Sequence, residues 1–445
     1  MPFAALCCLA GCASYHAAPL VLHARQAHAL AALDRTLPQD GPDAGRTIAI
    51  TPPLPPGRIA ALAVLNDPGL AADRATVGIA AARRFAAGLL PDPQVSGGFA
   101  ALLGGPGIAP SISGAISQNI AALITRGPRL AAAKAKTAAA EAHFEWQEWQ
   151  VAAKAETLAV GLWSDQRRLA ALNHARTTLA RLVSAAKSAV QQGNLAIGAA
   201  SAAEASLAGI DASRDTIAQQ AQTDHAQLAK LLGVAPDVAI PVAAPQDAPL
   251  PAARVRALVA TIARRRPDLI ALRYGYSAAD ADLRAQIRAQ FPLISLTVNG
   301  GTDTTRVASA GPTITLDLPI FNDNRGNIAV ARATRRQLAA AFRAALDGAA
   351  NDAEAAAQAL ALLRREQRRA ESRLDAAQLQ AREARRAYAQ GLIDARVETN
   401  LLDQAVTRET QMIVLRQKLD TGLISLRTLL GAGLPTAPAP AGATS

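Results

Sequence analysis

FPLISLTVNGGTDTTRVASAGPTITLDLPIFNDN, residues 291–324, is the stretch on which the fold turns. It carries little charge, and each half alternates. Ile294, Leu296 and Val298 fall on one face, against Leu293, Ser295 and Thr297 on the other. The segment Asn299-Gly300-Gly301-Thr302-Asp303 reads as a polar turn. Beyond it, Ile314, Leu316 and Leu318 alternate with Thr313, Thr315 and Asp317. A period of two is the signature of a strand with one apolar and one polar face. Such a hairpin suits a soluble sheet or a barrel wall facing lipid, and the alternation alone leaves both open.

The surrounding composition narrows the choice. Half of the 445 residues are hydrophobic but only 3% are aromatic, and the excess is alanine. Alanine favours helices and adds little volume, so the chain suits thin, closely packed helices better than a thick core. The net charge of +11 invites a nucleic-acid reading. However, the arginines are interspersed with glutamates and aspartates, and few aromatics are present to stack bases, so no nucleic acid is expected. All three cysteines, Cys7, Cys8 and Cys12, lie in the first dozen residues, which leaves no disulfide framework or thiolate metal site. No apolar run reaches the roughly 18 residues of a membrane helix. Membrane attachment would have to come from strands or a lipid anchor.

In order, residues 1–12 form a small apolar run ending in Leu9-Ala10-Gly11-Cys12. This resembles the lipobox of bacterial lipoproteins and would make Cys12 an acylated anchor, although no Lys or Arg precedes the run. Residues 13–57, with Pro52-Pro53-Leu54-Pro55-Pro56, read as an extended arm. His16, His23 and His28 lie there at spacings that match no metal-ligand pair. A first unit, 58–240, holds a helix, strand-like segments within about 94–120, and long helices at 128–192 and 195–232. A linker, 241–251, leads to a second unit, 252–433, with strands within about 291–321 and long helices at 326–390 and 392–430. Residues 434–445 form a Pro/Ala/Gly tail whose composition predicts disorder.

The two units share one offset. The glycines that break the long helices differ by 391 − 193 = 198, and those of the two Leu-Leu-Gly endings by 431 − 233 = 198. The helix-starting prolines, Pro68 and Pro267, differ by 199. Landmarks in register argue for a duplicated helix, β-hairpin, long-helix-pair unit. Four strands cannot close a barrel, and open sheet edges are not tolerated in lipid. If the strands span a membrane, several copies must pool them.

Several residues together carry a family resemblance. These are Arg265-Arg266-Pro267-Asp268-Leu269 at the start of a helix, Gln290-Phe291-Pro292-Leu293 opening the hairpin and Leu318-Pro319-Ile320-Phe321 closing it. Tyr388 with Gly391, and Leu429-Leu430-Gly431, complete the set. In this order, and on a duplicated frame, they resemble the TolC-type outer-membrane efflux proteins, especially their lipoprotein (NodT-like) branch. The resemblance implies a mainly α fold with a small membrane β part, assembled as a homotrimer with an outer-membrane β-barrel and a periplasmic α-barrel. It implies a passive tunnel in a tripartite efflux or type I secretion system, working with a periplasmic adaptor and an inner-membrane pump, and lipid-anchored in the outer membrane.

Carried over by residue, Gly193 and Gly391 turn the helix pairs at the tip and meet the adaptor, and Tyr388 locks the closed state. Asp394, Glu398 and Asn400 are candidates for a gate ring, with Asp403 further on. Leu392-Ile393 stand where the family often has an arginine, so a Tyr-Arg lock is not expected. Ile294, Leu296, Val298, Ile314, Leu316 and Leu318 would face lipid. No GxxxxGK, GxSxG or HExxH motif occurs, and neither an enzyme, a cofactor nor a metal site is expected. The competing reading is a periplasmic coiled-coil adaptor or scaffold without a pore. It accounts for the helices but not for two hairpins.

Overall fold

Two helices set the length of the molecule. In the computed structural model, which describes residues 15–37, 45–104, 107, 109–193, 197–246, 249–291, 293–317 and 321–432, α3 runs Ala121–Gln191 and α7 runs Arg325–Ala389. At 1.5 Å per residue each extends roughly 100 Å. Alanine-rich sequence lets neighbouring helices approach them along this length. Preceding α3 are α1 (Pro56–Asn66), α2 (Pro68–Gly88), β1 (Gln94–Ala100) and β2 (Ser111–Asn119); α4 (Ile197–Leu232) follows it. The second unit repeats the order with α5 (Ala252–Val259), α6 (Pro267–Arg288), β3 (Leu293–Thr302), β4 (Ala308–Asp317), α7 and α8 (Ala395–Leu429). Residues 1–12, with Cys12, and the tail 434–445 lie outside the described residues.

Local chemistry explains most boundaries. Pro68 and Pro267 occupy the first turns of α2 and α6, where a missing N–H costs nothing. Asp67 caps α2, its Oδ1 accepting from the Leu70 N–H at 2.9 Å. At the far ends, Gly233, Gly391 and Gly431 have φ of +66°, +74° and +64°. Each closes its helix with the paired bonds of a Schellman turn. After α7, the Leu392 N–H donates to the Ala387 carbonyl and the Gly391 N–H to that of Tyr388, both at 2.9 Å.

Several expectations are corrected. Helix α3 starts at Ala121 rather than 128, because the Ala122 N–H finds a cap in Asn119 Oδ1. Pro128 is accommodated inside the helix at the loss of one backbone bond. Between the linker and the second hairpin the chain forms not one continuous helix but α5, a 3₁₀ turn Ile262–Arg264 and α6. Residues 299–302 are not the turn. Gly300 and Gly301 remain paired within β3, opposite Ala310 and Ser309. The turn is residues 303–307, organised by Asp303 Oδ1 accepting from the Thr305 and Val307 N–H groups, with Arg306 at φ +67°.

The arm at 13–57 is not a free linker. Leu30, Leu33, Ile48 and Leu54 are buried with Ile59 and Leu62 of α1, Ala155 and Ala159 of α3, and Leu228 and Leu232 of α4. The linker 241–251 joins this core in part: Val242 is buried and the Pro241 carbonyl accepts from the Leu54 N–H. Each large apolar side chain so buried contributes about 1.5–3 kcal/mol. The sequence reading missed this core because its apolar residues are scattered among prolines without a period. The second unit has a smaller counterpart, Val255 and Leu258 of α5 with Leu360, Leu419, Leu423, Leu426 and Leu430.

Candidate channel wall and helical tip

The four strands form one antiparallel sheet in the order β1-β2-β3-β4. Pairing of β2 with β3, Ile116 opposite Val298 and Gln118 opposite Leu296, joins the two units. Directly opposed residues share a face, so the register sorts every side chain. One face carries Val95, Phe99, Ile112, Ile116, Leu296, Val298, Ile314 and Leu316, all solvent-exposed in the single chain. The other carries Ser96, Ser113, Ser117, Ser295, Thr297, Thr313 and Thr315. Ile294 belongs to the apolar set by register, opposite Leu316; its side chain and Leu318 lie outside the described residues. The outer edges of β1 and β4 have no strand partner among the described residues. No described helix is long and apolar enough to cross a membrane.

At the other end of the long helices lie the tip turns. Gly193 and Gly391 have φ of +75° and +74°, and a Cβ on either would meet nothing within 4 Å. They are glycine for backbone reasons and present bare backbone outward. Beyond Gly391, Asp394 caps α8, its Oδ1 accepting from the Val397 N–H at 2.9 Å. Glu398, one turn on, is 7% exposed, and its Oε2 has no hydrogen-bond partner among the described residues. Burial pushes its carboxyl above the ordinary range, opposed by the charge of Arg385. Asn400 is exposed. Asp403 is half-buried and raised by burial, and it accepts from Ser206 Oγ of α4 at 2.5 Å. Tyr388 packs against an apolar cluster of Leu172, Leu179 and Leu182 on α3, Ile210 and Ile217 on α4, and Ala395 on α8. The gate candidates thus divide: Asp394 caps, Glu398 and Asp403 are drawn inward, and Asn400 faces outward.

Sequence reasoning missed a set of long-range polar contacts. Glu156 on α3, buried, accepts from Arg427 Nη2 on α8 at 2.8 Å. Ser164 Oγ donates to Gln417 Oε1 at 3.1 Å. Arg266, also buried, has several partners: it clamps both oxygens of Asp268, lies 5.0 Å from the Trp146 ring centroid, and reaches the Leu429 carbonyl at the end of α8. Arg265 Nε donates to the Gly431 carbonyl at 3.2 Å. The Arg265–Leu269 motif is therefore a fastening between the start of α6, the middle of α3 and the end of α8. A lone glutamate in an alanine-rich helix carries no local sign that its partner lies 271 residues away. Among the described residues no cluster of His, Cys, Asp or Glu could hold a metal.

Comparison with known proteins bears on this geometry. Residues 258–432 match the family profile described as outer membrane efflux protein. The fold matches the outer-membrane channel OprN over 86% of this chain and 91% of that one, with a TM-score of 0.72 and 18% identity. The match to the outer membrane efflux protein family is thus carried by the second unit, and the likeness to OprN by the fold of nearly the whole chain. Its fold is also similar to that of the CmeC outer membrane channel of Campylobacter jejuni, with a TM-score of 0.70 and 15% identity over 85% of this chain and 86% of that one. In sequence, 116 residues are 34% identical to outer membrane protein OprJ of Pseudomonas aeruginosa. That match spans 23% of this chain and 24% of OprJ. The family profile falls on the second unit, where the hairpin and the Arg265–Leu269 motif are also the clearest.

Proposed function

We propose that this chain is the outer-membrane channel subunit of a tripartite efflux or type I secretion system: a passive trimeric tunnel, anchored by its strands and by acylated Cys12, and gated at its helical tip. The observation that carries the proposal is the two-faced sheet with open edges. Eight exposed apolar side chains on one face of four strands have no role in a water-soluble sheet, and open edges require more strands to close a wall. Pooled copies satisfy both needs, with the serine and threonine face lining a wet pore. OprN and CmeC, which share the fold, are outer-membrane channels. The roughly 100 Å helices then extend into the periplasm. Gly193 and Gly391 at their ends are where a periplasmic adaptor docks and couples the tunnel to an inner-membrane pump. Tyr388, Glu398 and Asn400 lie in the segment that opens, and Asp394 supports it as a cap.

Fractionation tests the proposal. The protein is expected in outer membranes and, after detergent extraction, as a trimer by light scattering. Recovery as a soluble periplasmic monomer overturns it in favour of a scaffold. The face assignment has its own test. Leu316→Arg near mid-membrane is expected to cost about 2–4 kcal/mol of insertion, and Thr315→Arg far less. Equal losses of membrane-inserted protein would show the faces reversed or the sheet not in lipid.

A further inference from the structure

Within one chain, the second unit covers a stripe of the first. Helices α6 and α8 both pack against α3, where Ala132 is 1% exposed and Ser164, bonded to Gln417 of α8, 0%. The repeat offset of 198 carries these positions to Val330 and Leu362 on α7, which are 67% and 59% exposed. Two bulky apolar residues are bare where their repeats are sealed. The charge pattern follows the same offset: Glu156, ion-paired to Arg427 of α8, corresponds to Glu354, which is exposed and has no ion-pair partner among the described residues. The surface that would cover them by repetition is α2 with α4, since α2 repeats α6 and α4 repeats α8. Both present what that role needs. Ile79 and Phe85 of α2 are exposed, whereas Ala278, the counterpart of Ile79 on α6, is buried. On α4, Gln222, Ala226 and Lys230 form an exposed stripe, whereas their counterparts on α8, Asp420, Ile424 and Thr428, are drawn in. Arg427's own counterpart, Ala229, is buried in the first unit's core, and the cation stands one residue on, at Lys230.

We propose that the bare stripe of α7 docks on α2 and α4 of a second copy of this chain, in the register that α3 uses against α6 and α8, with Glu354 paired to Lys230 of that copy and Leu362 buried beside it. The proposal rests on the channel reading above and adds its register. Burying Val330 and Leu362 supplies apolar contact, and the ion pair fixes the sliding position, which alanine-rich helices specify weakly.

The test uses the full chain in detergent-extracted membranes, with Glu354→Cys and Lys230→Cys in one chain and a short bismaleimide cross-linker. All natural cysteines lie at positions 7, 8 and 12, so each single-cysteine variant is a clean control. Covalent dimers and trimers on a denaturing gel, absent from both controls, are expected. A trimer by light scattering without that cross-link overturns the register and leaves the channel reading standing; a monomer overturns both. Independently, Glu354→Lys is expected to weaken assembly about tenfold, and Glu354→Lys with Lys230→Glu to restore it. Both variants retaining wild-type assembly would remove the ion pair from the interface. The exposure of both side chains spares folding, which circular dichroism checks.

Discussion

The two long-helix pairs occupy equivalent places in the repeat and are built from different material. In the first pair, Ala175 of α3 and Ile210 of α4 sit in the apolar cluster with Leu172, Leu179, Leu182 and Ile217. Their counterparts in the second pair are Arg373 and Arg408, at the same distances from the tip glycine (193 − 175 and 391 − 373 are both 18; 210 − 193 and 408 − 391 are both 17). There α7 and α8 face a groove of about 700 Å³, lined by Arg369, Arg373, Arg408 and Lys418, with Arg168 reaching in from α3. Glu366 is the acid among them. The second pair is held at its base through Leu360, Leu419 and Leu423, and toward the tip the buried residues of α7 are the small Ala377 and Ala384. The start of α8 packs instead on the first pair, through Ala395, Leu402 and Val406. Identical topology therefore gives one pair sealed by large apolar side chains and one that carries a charged groove.

The contrast can be broken most severely at the sealed pair. Leu179→Ala is expected to cost about 2–5 kcal/mol, because Leu179 is fully buried and its neighbours close the cavity only in part. Thermal unfolding of the detergent-extracted protein measures it. An unchanged midpoint would mean the first pair is no tighter than the second. Copying the first pair into the second, with Arg373→Ala and Arg408→Ile, is expected to stabilise by about 1 kcal/mol by removing like-charge repulsion and adding apolar contact. Amide exchange across residues 374–390 should slow, and channel conductance in a planar bilayer should fall.

Gly391→Ala comes next. Its Cβ would meet nothing, so the cost is the left-handed backbone alone, about 1 kcal/mol. Gly431→Ala should cost more, since a Cβ there would lie 2.9 Å from Cβ of Arg265. Equal losses would show that the close approach of α6 to the end of α8 does not matter.

The smallest effect is electrostatic. Burial raises the Glu398 carboxyl in the folded chain, so its ionised form weakens the fold above that raised value. The penalty is relieved as pH falls through it and is gone below the ordinary value of 4.5. Glu398→Gln should raise the unfolding midpoint at neutral pH, with a gain that shrinks as the medium is acidified. A gain independent of pH would assign the effect to packing.

Much of this was readable from residues alone. The period of two in 294–298 and 314–318, the alanine content of the long helices and the glycines at 193, 233, 391 and 431 each express a local rule. So does the duplication, which is a match of such rules at one offset. The turn was misplaced because Gly300-Gly301 resembles a turn in composition. It is instead a place where backbones crowd: a Cβ on Gly301 would lie 2.3 Å from the Ile112 carbonyl oxygen on β2. The N-terminal arm was misread because its buried leucines follow no period.

The gate candidates were legible as residue types and not as states. Asp394, Glu398 and Asn400 are all polar residues within seven positions; Asp394 caps because it stands just before α8, and only the angle around α8 separates the buried acid from the exposed amide. Backbone handedness, strand alternation and helix propensity depend on a few consecutive residues, so the sequence by itself determined the kind and order of most elements and their repetition, though not every boundary. Tertiary structure decided which element lies against which: β2 against β3, Arg427 on Glu156, Arg266 under Trp146, an apolar lock in one pair and a charged groove in the other. Those outcomes depend on the rotation and register of helices about 100 Å long, and a one-residue change in either sends a different side chain to the interface.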